Sequence, residues 1–123
     1  MNTQVIIDVN GDPRQILECA YHTLLSMSTE TPAAWYNHVP DVSNYIDPQL
    51  LFARAVVIRS YTVKCIMACL VIVDQIDDTK CELSFTADET KSLTPGKGYT
   101  IVFISEFLQL FSQNYYSPAQ PQP

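Results

Sequence analysis

The chain is short of basic residues, glycine and histidine, and each shortage closes off a class of function. Seven Lys and Arg stand against 13 Asp and Glu, a formal net charge of −6. Nucleic-acid affinity comes largely from neutralising phosphates with Lys and Arg, so direct binding of DNA or RNA is not expected. Three glycines leave little for a phosphate-binding loop. Pro95-Gly-Lys-Gly98 holds a Gly-Lys pair but lacks the spacing and the following Ser or Thr, and a turn explains it. Two histidines and four cysteines contain no CxxC pair, so no metal or other cofactor is expected. The longest apolar run, Cys65 to Val73, has nine residues, whereas a bilayer-spanning helix needs about 20. No basic segment followed by an apolar one opens the chain, so no leader peptide is expected. The cysteines are then expected as reduced thiols in a cytoplasmic protein, without disulfides.

What is present is ordinary globular material. The 123 residues suit one domain, and the apolar fraction of 47% lies above that of disordered chains. We expect residues 1–116 to form this domain and the Pro-rich segment 117–123 to be an extended tail. The charge is uneven. Arg54 to Val73 carries three bases and no acids, whereas Asp74 to Lys91 carries six acids and two lysines. Such an acidic stretch either keeps a hairpin tip soluble or favours a basic partner.

Gln4 to Val9 alternates, with Val5, Ile7 and Val9 on one face and Ile6 as the exception, and reads as a strand. Asp12-Pro13 then opens a helix, because Asp caps free amides and Pro at the first position loses no needed hydrogen bond. Ile16, Leu17, Ala20, Tyr21, Leu24 and Met27 form its apolar stripe, ending by about Thr29. Asp47-Pro48 repeats the signal, so a short second helix is expected from Pro48 to about Val56; Ala55-Val-Val-Ile-Arg either continues it or starts the next strand, which the β-branched Val56, Val57, Ile58, Thr62 and Val63 favour. Tyr61 to Val73 is apolar on both faces, as in a strand buried on both sides. Asp74 to Lys80 is a turn. Lys80 to Asp88 alternates, with Cys81, Leu83, Phe85 and Ala87 inward. Tyr99 to Ile104 reads as a further strand and Glu106 to about Asn114 as a closing helix. The expected fold is therefore α+β: a mainly antiparallel sheet of about four strands, helices on one face, in the order β-α-α-β-β-β-α.

Candidate chemistry is sparse. Cys19 and His22, three apart on the first helix, formally allow a thiol–imidazole pair, but nothing nearby would lower the thiol pKa. Cys65 and Cys69 lie about 13 Å apart if their segment is a strand, at about 3.3 Å per residue, too far to share a metal. Asp77 and Asp78 sit at a hairpin tip rather than in a pocket, where acid–base work is not expected. The irregular segment 32–45 holds Trp35, Tyr36, His38 and Tyr45, and aromatic residues on loops are common binding anchors. The candidate binding surface is thus Trp35, Tyr36, His38 and Tyr45 with the acidic Asp74, Asp77 and Asp78.

These features favour a small acidic interaction or regulatory protein, not an enzyme, that works through a protein partner with a basic surface. Size and charge also fit a viral or phage accessory protein that blocks such a surface. Two alternatives are a small-molecule-binding domain or small enzyme, with Trp35, Tyr36, Tyr61 and Phe85 lining a pocket, and a structural subunit of an assembly. Unprotected edge strands at Gln4–Val9 or Tyr99–Ile104 lead to the expectation of a homodimer.

Overall fold

The computed structural model describes residues 2–30, 44–61, 64–91 and 99–116. Expectations for the aromatic segment before Asn44, the turn at 92–98 and the tail at 117–123 lie outside these residues. Seven elements follow in order: β1 (Asn2–Asn10), α1 (Pro13–Met27), β2 (Tyr45–Asp47), β3 (Phe52–Ser60), β4 (Lys64–Gln75), β5 (Lys80–Lys91) and α2 (Tyr99–Tyr116). The strands form one antiparallel sheet in the order β1-β5-β4-β3-β2. The fold is α+β, with five strands rather than about four.

Sequence periodicity accounts for most of this. Asp12 caps α1, its side chain accepting the Gln15 N–H at 3.1 Å, with Pro13 at the first helical position. Ile16, Leu17, Ala20, Leu24 and Met27 are buried against the sheet. On the same side lie Val9 of β1, Ala53, Ala55 and Val57 of β3, Met67, Cys69, Val71 and Val73 of β4, and Leu83, Phe85 and Ala87 of β5. α1 packs across β3 and β4, and α2 lies beside it over β5 and β1. The layer between is filled by an aromatic column. Phe85 stacks on Phe107 at 4.2 Å, Phe107 on Phe111 at 5.9 Å, and Phe111 on Tyr115 at 5.5 Å. Burying each Phe contributes about 1.5–3 kcal/mol.

Three expectations are corrected. The second helix, expected from Pro48 to Val56, is instead a hairpin loop followed by β3. Asp47 Oδ1 accepts the N–H groups of Gln49 and Leu50 at 3.0 and 2.9 Å, and Leu51 takes a positive φ of 59°. The Asp-Pro signal therefore caps a turn, and Val56, Val57 and Ile58 prefer the pleated ladder with β4. Tyr99–Ile104 is not a strand but the start of α2. Thr100, Phe103, Ile104, Phe107 and Phe111 are its buried residues, at spacings of three and four, while Ile101 and Val102 face outward. Tyr61–Val73 is not a strand buried on both sides: in β4 one face lies under the helices, whereas Ala68, Leu70 and Ile72 of the other reach solvent. The edges are β1 and β2.

Candidate functional site: the open face of the sheet

All described helix packing lies on one face of the sheet, so the side chains of the other face fall into rows set by strand register. One row runs Ile6, Ser84, Ile72, Phe52 and Asp47 from β1 to β2; the next runs Gln4, Thr86, Leu70, Arg54 and Tyr45. A third row, at the β4–β5 turn end, brings Asp8, Glu82 and Asp74 side by side on three adjacent strands. Alternation places these residues here: every second residue of β1, β4 and β5 points away from the helices.

The face is mixed in character. Ile6 is 53% exposed, Ile72 36% and Tyr45 43%, so apolar and aromatic side chains meet solvent among the hydroxyls of Ser84 and Thr86. The Tyr45 ring lies 5.7 Å from that of Phe52, and the Arg54 guanidinium sits 5.6 Å from the Tyr45 centroid. The Tyr45 hydroxyl donates to Asp47 Oδ2 at 3.2 Å, and this bond to a carboxylate raises the phenol pKa. A depression of about 290 Å³ is lined by Arg54, Val56, Ala68, Leu70, Thr86 and Asp88. Toward the far end, Val56, Ile58 and Ile66 make a second, smaller buried cluster.

Three carboxylates directly opposite one another on neighbouring strands repel. Lys80 Nζ approaches Asp8 Oδ2 at 3.8 Å and offsets part of this. The row is a ledge, not a cage: among the described residues no three His, Cys, Asp or Glu side chains converge as a metal site.

The structure places the sequence-derived site residues unevenly. Trp35, Tyr36 and His38 lie outside the described residues. Tyr45 stands on β2 at one edge of the open face, and Asp74 stands on its acidic row. Asp77 has a structural task. Its Oδ1 accepts the N–H groups of Thr79 and Lys80, both at 2.9 Å, and these bonds hold its carboxyl below the usual range. Asp78 lines a groove of about 510 Å³ with Asn10, Gly11, Asp12 and Gln75, and a groove of about 540 Å³ lies beside Tyr45, Asp47 and Arg14. A groove of about 290 Å³ lined by Asp12, Pro13, Arg14, Pro48, Gln49 and Gln75 lies between the two. Sequence reading missed Asp8 and Glu82 as neighbours of Asp74, because the partner of β5 is β1, whose paired residues lie 70 to 86 positions away in the chain.

Three of the four thiols stand where burial disfavours the thiolate. Burial raises the pKa of Cys19, partly countered by its hydrogen bond with Thr23, and burial likewise raises Cys69 and Cys81. Phe85 and Tyr61, expected to line a pocket, are instead occupied in packing: Phe85 belongs to the aromatic column and Tyr61 stacks on Tyr99 at 5.2 Å. Among the described residues no helix is long and apolar enough to cross a membrane. No family model, curated protein or solved structure matches the chain.

Proposed function

We propose that the protein is a small interaction or regulatory module that binds a basic protein surface through the open face of its sheet. The observation that carries this reading is the row Asp8–Glu82–Asp74 lying alongside exposed Ile6 and Ile72. Like charges set side by side cost stability in the free protein. A partner that places Lys or Arg on this ledge relieves the repulsion, while its apolar side chains cover Ile6, Ile72 and Leu70. The net charge of −6 steers such a partner toward the face and makes the encounter salt-dependent. Arg54 and Tyr45 at the opposite side of the face supply the residue types that most often anchor interfaces.

The test compares affinity capture from the source cell by the wild-type chain, by an Asp8→Asn/Glu82→Gln variant, and by Ile72→Glu. A partner with a basic surface should bind the wild type at low salt, weaken as salt rises, and be lost from both variants while circular dichroism stays unchanged. Identical captures by all three chains would remove the open face from the function.

A further inference from the structure

The two edges of the sheet are treated differently. Beyond the three-residue β2, the outward groups of β3 are already occupied. Asn44 Oδ1 accepts the Val56 N–H at 2.9 Å and Ser28 Oγ accepts the Ile58 N–H at 3.0 Å. The Thr29 N–H and hydroxyl both donate to the Ile58 carbonyl, at 2.7 and 2.8 Å. At the other edge, β1 runs nine residues. The Gly11 N–H donates to the Thr79 carbonyl at 3.0 Å, which sets the parity of the β1–β5 ladder. Thr3, Val5, Ile7 and Val9 bond inward, so Gln4, Ile6, Asp8 and Asn10 direct their N–H and C=O groups away from the sheet. The Tyr115 hydroxyl donates to the Asn10 carbonyl at 2.8 Å. Among the described residues, the outward groups of Gln4, Ile6 and Asp8 have no such partner. β1 has no Pro, Lys or bulge to blunt it, and a strand like this is a template for another strand.

We infer that β1 pairs antiparallel with β1 of a second copy, with Ile6 on the two-fold axis, to give one sheet continuous across the dimer. A second copy is the occupant because this strand is complementary to itself when paired antiparallel about Ile6. In this register Ile6 opposes Ile6, and Gln4 opposes Asp8 of the second copy on either side, so all three outward residues are paired and each pair exchanges two N–H···O bonds. Gln4 already donates to Ser84 Oγ at 3.1 Å, and its second amide hydrogen is available to the Asp8 carboxylate. On the helix side, half-buried Val5 comes opposite half-buried Ile7, so each covers the other. The two Asp8 side chains stand about 13 Å apart along the strands, at about 3.3 Å per residue. Moving the axis to Asp8 would oppose the two carboxylates directly. This interface runs along the strand edge but shares Ile6 and Asp8 with the open face, so Glu82→Gln and Ile72→Glu, which lie on β5 and β4 away from the edge, test the partner proposed above without touching the dimer.

The experiment is light scattering of the full chain from about 1 to 200 μM, with two variants and a cross-link. Ile6→Pro removes an outward N–H that the β1–β5 ladder does not use. Ile6→Lys keeps the backbone and sets two like charges on the axis. The wild type should show twice the 13.9 kDa chain mass at high concentration. Both variants should fall to the single-chain mass with unchanged circular dichroism, and Ile6→Lys alone suffices where Ile6→Pro does not fold. Oxidising a mixture of Val5→Cys and Ile7→Cys chains should give the mixed disulfide, since opposed residues without mutual hydrogen bonds bring their Cα atoms to about 4.5 Å. A wild type of single-chain mass throughout overturns the proposal, as does a dimer that survives Ile6→Lys. Cross-linking of Val5→Cys chains to themselves in preference to the mixed pair overturns the register.

Discussion

Gly11 shows how tightly a single residue can be specified. It takes φ = +136°, and a Cβ built there would lie 1.9 Å from the Tyr115 hydroxyl oxygen. That hydroxyl holds the Asn10 carbonyl, so any side chain at 11 strains the turn and also pushes α2 off the end of β1. Gly11→Ala should destabilise the fold by about 1–3 kcal/mol, the usual cost of a non-glycine residue in such a conformation. Chemical denaturation checks this, and Tyr115→Phe separates the two causes. In that background the clash with the hydroxyl is gone but the φ strain remains, so part of the loss should be recovered and not all. Asp77 is the second case. Its lowered pKa arises from the amides of Thr79 and Lys80. The turn is therefore supported above the ordinary Asp value of about 3.9, and the support is lost as pH falls through the lowered value. The amide shifts of Thr79 and Lys80, followed by NMR, should titrate with a midpoint below about 3.9. In Asp77→Asn, whose side-chain oxygen accepts the same bonds without ionising, that titration should vanish. A wild-type midpoint at the ordinary value would mean that these bonds do not form in solution.

At the scale of elements, the same physics explains which segments were readable. β1, α1 and β5 were legible because each shows one clean period with a recognisable terminus, as in Asp12-Pro13 for α1. β3 was only half legible, since a run such as Ala55-Val-Val-Ile lacks a period and a short apolar run suits a helix end as well as a strand; its pairing with Lys64 to Ile72 of β4 decides it. The start of α2 failed for the opposite reason. Its β-branched Thr100, Ile101, Val102 and Ile104 resemble a strand, and only the continuing stripe through Phe103, Phe107 and Phe111 makes them helical. Tertiary packing on Phe85 outweighs the local preference. Of the candidate site, Tyr45 and Asp74 were legible by residue type, but the acidic row was not, because it exists only through cross-strand register. That row yields its own prediction. Glu82 lies between Asp8 and Asp74, so Glu82→Gln should raise stability by roughly 0.2–1 kcal/mol. Urea denaturation at low and high salt measures it, with the gain shrinking at high salt. A loss of stability would show that Lys80 or another base already neutralises the row.

Across the whole molecule, the sheet and both helices are tied at one end by a small polar group. The Arg59 guanidinium donates to the Met27 carbonyl at the end of α1 (2.9 Å) and to Glu106 of α2 (3.0 Å). The Tyr61 hydroxyl donates to the other oxygen of Glu106 at 2.6 Å. β3, α1 and α2 are thereby held by one carboxylate and one guanidinium, while Asn114 joins Thr23 between the helices, donating at 3.0 Å. Burial, and then the bond to the Glu106 carboxylate, raise the Tyr61 pKa well above the ordinary value of 10.0. The sign follows directly. Tyr61 keeps its proton more tightly when folded, so its contribution is fully present below pH 10.0 and is lost as pH rises toward the folded value. The protein should therefore weaken in alkali. Its urea midpoint at pH 11 should fall further below that at pH 8 in the wild type than in Tyr61→Phe, which has no phenol to ionise. Comparing the two chains removes the lysines and remaining tyrosines, which titrate in both. Equal alkaline losses would mean that Tyr61 ionises as freely folded as unfolded, and that α2 is not held to β3 through Glu106.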